Sequence, residues 1–188
     1  MLFGDFSREV HPKPERLVLL DKVLLDFRTA FPDLHFELRL DRRVINAQAI
    51  LLDGKRCVLI YGGLGLHPNL AENSLTFVFL HETGHHLAAG PRLPFNLSLA
   101  CDCVADRWAV GEGADILRRK SGRQLQIGKA LHELECLMSA GNEPERHRGE
   151  RAPGCWNHKW SQRKDALEKP EARSPNRICE LMELRQGG

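Results

Sequence analysis

From Glu15 the chain reads ERLVLLDKVLLDFRTAF, with apolar residues recurring every three or four positions. That spacing predicts a first helix with Pro14 near its first turn, and Phe31-Pro32-Asp33 ends it. LHFELRL (34–40) alternates like a strand. NAQAILLD and KRCVLIYG flank Asp53-Gly54, the dipeptide most suited to a tight hairpin. Three strands after one helix predict a small antiparallel sheet.

Gly62, Gly63 and Gly65 followed by His67-Pro68-Asn69 read as a turn, since no GK[ST] follows to make a phosphate loop. From Asn73-Ser74 the chain predicts a helix over 74–89, ended by Gly90-Pro91. Its opening, LTFVFL, is apolar on every face, so it should run through the core. LSLACDCVADRWAV predicts a second buried helix over 97–111, stopping at Gly111, and QLQIGKALHELECLMSA a third over about 123–140. The fold class expected is therefore α+β.

Beyond 141 the pattern fades. Charges of both signs are dense, and Pro144, Pro153, Pro170 and Pro175 recur. The chain divides into a domain over 1–141 and a tail over 142–188, partly irregular. Two apolar islands, CWNHKW (155–160) and ICELMEL (178–184), are placed to dock on the domain.

A net charge of +2 and the lack of a basic stripe with interleaved aromatics argue against a nucleic-acid partner. No stretch approaches the roughly 18 apolar residues of a membrane span. The opening residues lack the continuous apolar run of a signal peptide. A cytoplasmic location is expected, with the six cysteines (57, 101, 103, 136, 155 and 179) as thiols. Oligomeric state is open.

Candidate chemistry centres on His81-Glu82-Thr83-Gly84-His85. Histidines four apart on a helix share a face, so both imidazoles can reach one metal ion. Zinc suits them, leaving room for a third ligand and water, and lowers the pKa of that water to about 7. Glu82, one residue past the first histidine, is placed to act as general base. The plain alternative is two helix histidines packed against a surface glutamate. The apolar setting argues against it, because an unpaired His-Glu-His would be costly there. His86 points about 100° away from His85 and should miss the same metal.

Asp102 and Asp106 are again four apart in an otherwise apolar segment, where carboxylates need partners or a metal. One can complete the zinc shell, and the other can hydrogen-bond the far nitrogen of a zinc histidine. A salt bridge to Arg107 is the alternative. Cys101 and Cys103 flank Asp102 and are soft donors, either able to replace it as third ligand. Cys155 and His158 form a C-x-x-H pair with no matching pair elsewhere.

HETGH followed by Asp102-C-V-A-Asp106 resembles the HExxH plus ExxAD pattern of gluzincin metallopeptidases. It is similar to the soluble ImmA/IrrE group and to the core motif of the CAAX-type endopeptidases. The resemblance covers about residues 74–111 and implies a zincin-like fold, with the sheet packed on the HExxH helix. It also implies one zinc per chain, held by His81, His85 and Asp102, with Asp106 orienting a histidine. Two features depart from the pattern: the first acid is Asp rather than Glu, and only 16 residues separate His85 from Asp102. The shorter acid demands a closer approach of its helix.

The membrane-type relatives carry a histidine and then an arginine leading into an RxxAL-like stretch, and here His158 precedes R163-K-D-A-L167. The resemblance implies that His158 or Arg163 reaches the cleft to stabilise an oxyanion. A solvated basic tail is the alternative. The expected activity is zinc-dependent hydrolysis of a peptide bond in a protein or peptide substrate. Such a substrate would lie along an exposed sheet edge, strand 56–61 or 34–40. Two other readings share these ligands: a regulatory zinc module acting on a partner such as a transcriptional repressor, and a zinc amidohydrolase on a non-peptide amide.

Overall fold

The computed structural model describes residues 2–5, 13–41, 44–93, 95–139 and 160–168. The chain begins with a short strand, β1 (Leu2–Asp5), which the hydrophobic pattern does not announce. Helix α1 follows at Pro14–Ala30, with proline in its first turn as expected. Its apolar stripe, Leu20, Val23, Leu24 and Phe27, is buried. Strands β2 (His35–Arg39), β3 (Val44–Leu52) and β4 (Lys55–Tyr61) come next. Asp53 and Gly54 turn β3 into β4 with φ of 50° and 77°, the left-handed pair that a two-residue hairpin requires.

The sheet order is β1-β3-β4-β2. β3 and β4 are antiparallel, but β2 pairs with β4 in parallel, so the expected purely antiparallel sheet is in fact mixed. After β2 the chain passes to β3, and the Asp53-Gly54 hairpin then returns β4 into the place between them. β4 is thus interior, which removes strand 56–61 as an exposed edge.

The glycine cluster closes into one helical turn, α2 (Gly62–Gly65). Helix α3 (Glu72–Leu87) is the centre of the molecule, with every residue from Ser74 to His86 buried. Its N-terminus is held by Glu133, whose Oε2 accepts from the Ala71 and Ser74 amides at 3.0 and 3.3 Å. Phe27 of α1 meets Phe79 of α3 at 5.0 Å between ring centroids, and Ile45, Ala47, Val58 and Ile60 of the sheet belong to the same core.

The helix expected over 97–111 begins later. Asn96–Ala100 is a strand, β6, paired with β5 (Arg92–Leu93), and helix α4 runs only from Asp102 to Trp108. NLSLA alternates, and that period of two prevails over the helical reading. At Gly111 the backbone leaves helical values (φ −107°, ψ −105°), as expected of a stop there, and beyond this kink the chain resumes as α5 (Ala114–Ser121) until Gly122 at φ 79°.

Helix α6 (Ile127–Ser139) follows, and α7 (Trp160–Glu168) folds back against α4 and α6. Part of the predicted tail thus packs on the domain, with Trp160 and Leu167 buried. Residues 155–159 and 178–184, including Cys155 and His158, lie outside the described residues. The architecture is mixed α+β, and no helix among the described residues is long and apolar enough to cross a membrane.

Candidate metal centre

His81 and His85 leave α3 on one face and meet Asp102 at the first turn of α4. The two Nε2 atoms are 3.1 Å apart, and Oδ1 of Asp102 lies 3.4 Å from that of His81 and 3.7 Å from that of His85. These three residues form a group that could hold a metal ion. Ligands of a tetrahedral zinc at about 2.0–2.1 Å would sit roughly 3.3 Å apart, close to the spacing here.

The outer ring nitrogens decide which face each histidine offers. His85 donates Nδ1–H to the Ala100 carbonyl at 2.6 Å, which leaves its Nε2 as the lone-pair nitrogen. Nδ1 of His81 lies 2.7 Å from Oδ1 of Asp106, which gives it the same tautomer. With both rings neutral, two lone pairs and a carboxylate oxygen then face one point. Such a triangle of acceptors is repulsive unless a cation stands within it. The residues fit a divalent metal.

The close helix crossing has a local cause. A Cβ at Gly84 would lie 2.8 Å from the Ala105 carbonyl oxygen and 3.0 Å from its Cα. Glycine therefore lets α4 approach α3 closely enough for the short Asp102 side chain to reach both histidines. Strand β6 supplies the other constraint, since its last carbonyl, Ala100, orients His85.

Around this triangle the charges are paired. Asp106 is buried, and Arg163 of α7 donates Nε–H and Nη2–H to its two oxygens, both at 2.7 Å. The guanidinium also lies 5.7 Å from the centre of the Trp160 ring. Burial alone would raise the Asp106 pKa, but Arg163 and then His81 hold it down to about 2. His81 is pushed up to about 9, Asp106 and Asp102 together overcoming the burial that opposes a charged ring. His85 is lowered, first by burial and then by the His81 charge.

Glu82 is buried, and its Oε2 lies 4.0 Å from Nε2 of His85. Burial would raise its pKa, yet the neighbouring His81 and then His85 help pull it below the ordinary value. It is therefore an ionised carboxylate beside the ligand triangle.

His81, Glu82, His85, Asp102, Asp106 and Arg163 are thus brought together. Arg163 enters through Asp106, with two of its donors committed there, and it is this arginine rather than Arg107 that pairs the carboxylate. His158 lies outside the described residues. His86 turns away as expected, its Nε2 lying 2.9 Å from the Cys57 carbonyl. Cys57 and Cys101 are buried and not disulfide-bonded. Cys103 departs from the expectation of six thiols: it is disulfide-bonded, its partner lying outside the described side chains, and so offers no thiolate to a metal. The sequence reading missed the Ala100 carbonyl, whose only signal was the alternation of NLSLA. Compared with protein-family models, curated proteins and solved structures, the chain shows no match.

Proposed function

We propose that this chain is a zinc-dependent metallopeptidase that hydrolyses peptide bonds in a protein or peptide substrate. The observation that carries the reading is the buried Glu82 carboxylate, 4.0 Å from Nε2 of His85 and on the same helix as the two histidines of the ligand triangle. A purely structural metal site has no need of a base in that position. The gluzincin-like pattern and a sheet packed on α3 support a zincin-like fold.

In this mechanism His81, His85 and Asp102 hold one zinc. Zinc, when bound, polarises the scissile carbonyl and acidifies water in the site. Glu82 takes a proton from the attacking water and returns it to the leaving amine. Asp106 holds His81 in the tautomer that presents Nε2, and Arg163 holds Asp106. Arg163 is thereby a positioning residue rather than the oxyanion donor that the resemblance implies.

Metal content and casein proteolysis, compared between wild type and Glu82→Gln after identical purification, test this. Both proteins should retain about one zinc per chain, and wild type alone should cleave. Loss of metal from both would sink the reading; metal without cleavage in either would point to a regulatory role.

A further inference from the structure

We propose that Cys101 and Cys103 form a thiol–disulfide exchange site that controls Asp102, the third metal ligand, which lies between them in the chain. The inference goes beyond the peptidase reading: it needs the metal triangle and not the cleavage of a peptide.

Cys103 is disulfide-bonded and Cys101 is not. Their Sγ atoms lie 3.8 Å apart, against about 2.05 Å in a formed bond. Both side chains are buried, Cys101 at 1% exposure and Cys103 at 9%. Burial keeps dissolved thiols from the disulfide, whereas Cys101 already touches it. Access governs the rate of exchange and therefore favours this neighbour. In the step, the Cys101 sulfur attacks Cys103 Sγ and a Cys101–Cys103 bond forms. The bond from Cys103 to its present partner breaks, and that sulfur takes the proton that Cys101 gives up. One disulfide and one thiol stand on each side, so no oxidant or reductant is needed.

The exchange acts on the metal centre through the backbone. Cys101 joins β6 to α4: its amide donates to the Pro91 carbonyl at 2.9 Å, and its own carbonyl accepts from the Val104 and Ala105 amides at 3.1 and 2.9 Å. Asp102 begins the helix one residue on, with its Oδ1 at 3.4 and 3.7 Å from the two histidine nitrogens. Closing the ring over residues 101–103 draws the sulfurs together by roughly 1.8 Å and releases α4 from the cysteine that now holds Cys103. Both changes bear on Asp102, whose short side chain reaches the histidines only because α4 comes close. Exchange therefore weakens zinc binding, and bound zinc, by holding Asp102, opposes exchange. A change that reaches a ligand only through its supports lowers metal affinity about 10–100-fold. Saturating zinc then shifts the ratio of the two disulfides by the same factor.

The test uses the full chain, metal-free and zinc-loaded, held under native conditions without added thiol or oxidant. Thiols are trapped with N-ethylmaleimide in acidic denaturant and located by mass spectrometry, with zinc content measured alongside. In the present arrangement Cys101 takes the label. After exchange Cys101 is protected, and a cysteine that was protected takes the label instead. The metal-free chain should show both patterns, and zinc should lower the ratio of exchanged to original form about 10–100-fold. Cys101→Ser should keep the original bond alone and bind zinc at least as tightly as wild type. Absence of the exchanged pattern from the metal-free chain, or a ratio that bound zinc leaves unchanged, overturns the proposal. Zinc-dependent exchange in a chain that never cleaves casein would uphold it and count against the peptidase reading alone.

Discussion

Arg163 grips both carboxylate oxygens of Asp106 at 2.7 Å, and the same carboxylate reaches Nδ1 of His81 at 2.7 Å. An arginine 57 residues further along the chain thereby sets the orientation of a metal-ligand histidine. Removing one member of a buried ion pair costs about 3–5 kcal/mol, because the other charge is left uncompensated. Loss of an outer-shell partner lowers metal affinity about 10–100-fold. Arg163→Ala should therefore lower both thermal stability and zinc affinity, read by calorimetry and by competition with a chromophoric chelator. Arg163→Lys keeps the charge but not the two-pronged geometry, and should recover stability more than affinity. Zinc affinity unchanged in Arg163→Ala would disprove the relay.

Gly84 is the hinge of the α3–α4 approach. An alanine there would place its Cβ 2.8 Å from the Ala105 carbonyl oxygen and 3.1 Å from the Trp108 ring, so α4 must move outward. Overpacking of this kind costs about 1–3 kcal/mol. Because Asp102 rides on α4, the same shift should pull the third ligand away. Gly84→Ala is expected to fold with reduced stability and lose most of its zinc. A variant that is less stable yet binds zinc normally would show that Asp102 does not depend on the close crossing.

How much of this was legible in the chain follows the range of each interaction. The four-residue spacing of His81 and His85, the all-apolar run before them and the Asp53-Gly54 turn are local signals, and each appears in the structure as expected. Asp102 was legible for the same reason, as a carboxylate stranded among apolar residues. The helix expected over 97–111 failed because LSLA suits a helix and a strand equally. Pairing with Arg92–Leu93 decides between them, and that contact is made across a turn. The break at Gly111 was legible because glycine reads as a stop; that helix resumes directly beyond it was not, since nothing local announces it. Arg163 was singled out, but its partner was not, since nothing local ties residue 163 to residue 106. β1 carries almost no strand signal, and its place is set by the free edge of β3.

Arg123 offers a control for stability without chemistry. Its side chain is buried and bridges Asp26 of α1, at 2.6 Å, to Glu72 at the start of α3. Both acids are partly exposed, so water compensates part of the loss. Hydrogen bonds to charged groups contribute about 1.5–3 kcal/mol. Arg123→Ala should lower the melting temperature while leaving zinc stoichiometry and affinity as they are. A loss of zinc in step with Arg163→Ala would mean that general destabilisation, and not the Asp106 relay, controls the site.

Protons and metal compete for His81, and the pH dependence follows in sign. Its folded-state pKa is raised from 6.5 to about 9 in the metal-free chain. The protonated ring thus stabilises the metal-free fold fully below 6.5, and that contribution is lost as pH rises through 9. Asp106 acts in the opposite sense. Its pKa falls from 3.8 to about 2, so its contribution is present above 3.8 and lost as pH drops through 2. Metal-free stability should decline at both ends of this window, as thermal unfolding across the pH range would show. Zinc binds only the neutral ring, so apparent affinity should climb by up to about tenfold per pH unit between 6.5 and 9 and then level off. Zinc affinity that is flat across that interval would mean that His81 is not protonated in the metal-free site, and that the triangle of acceptors is held together by something other than its charge.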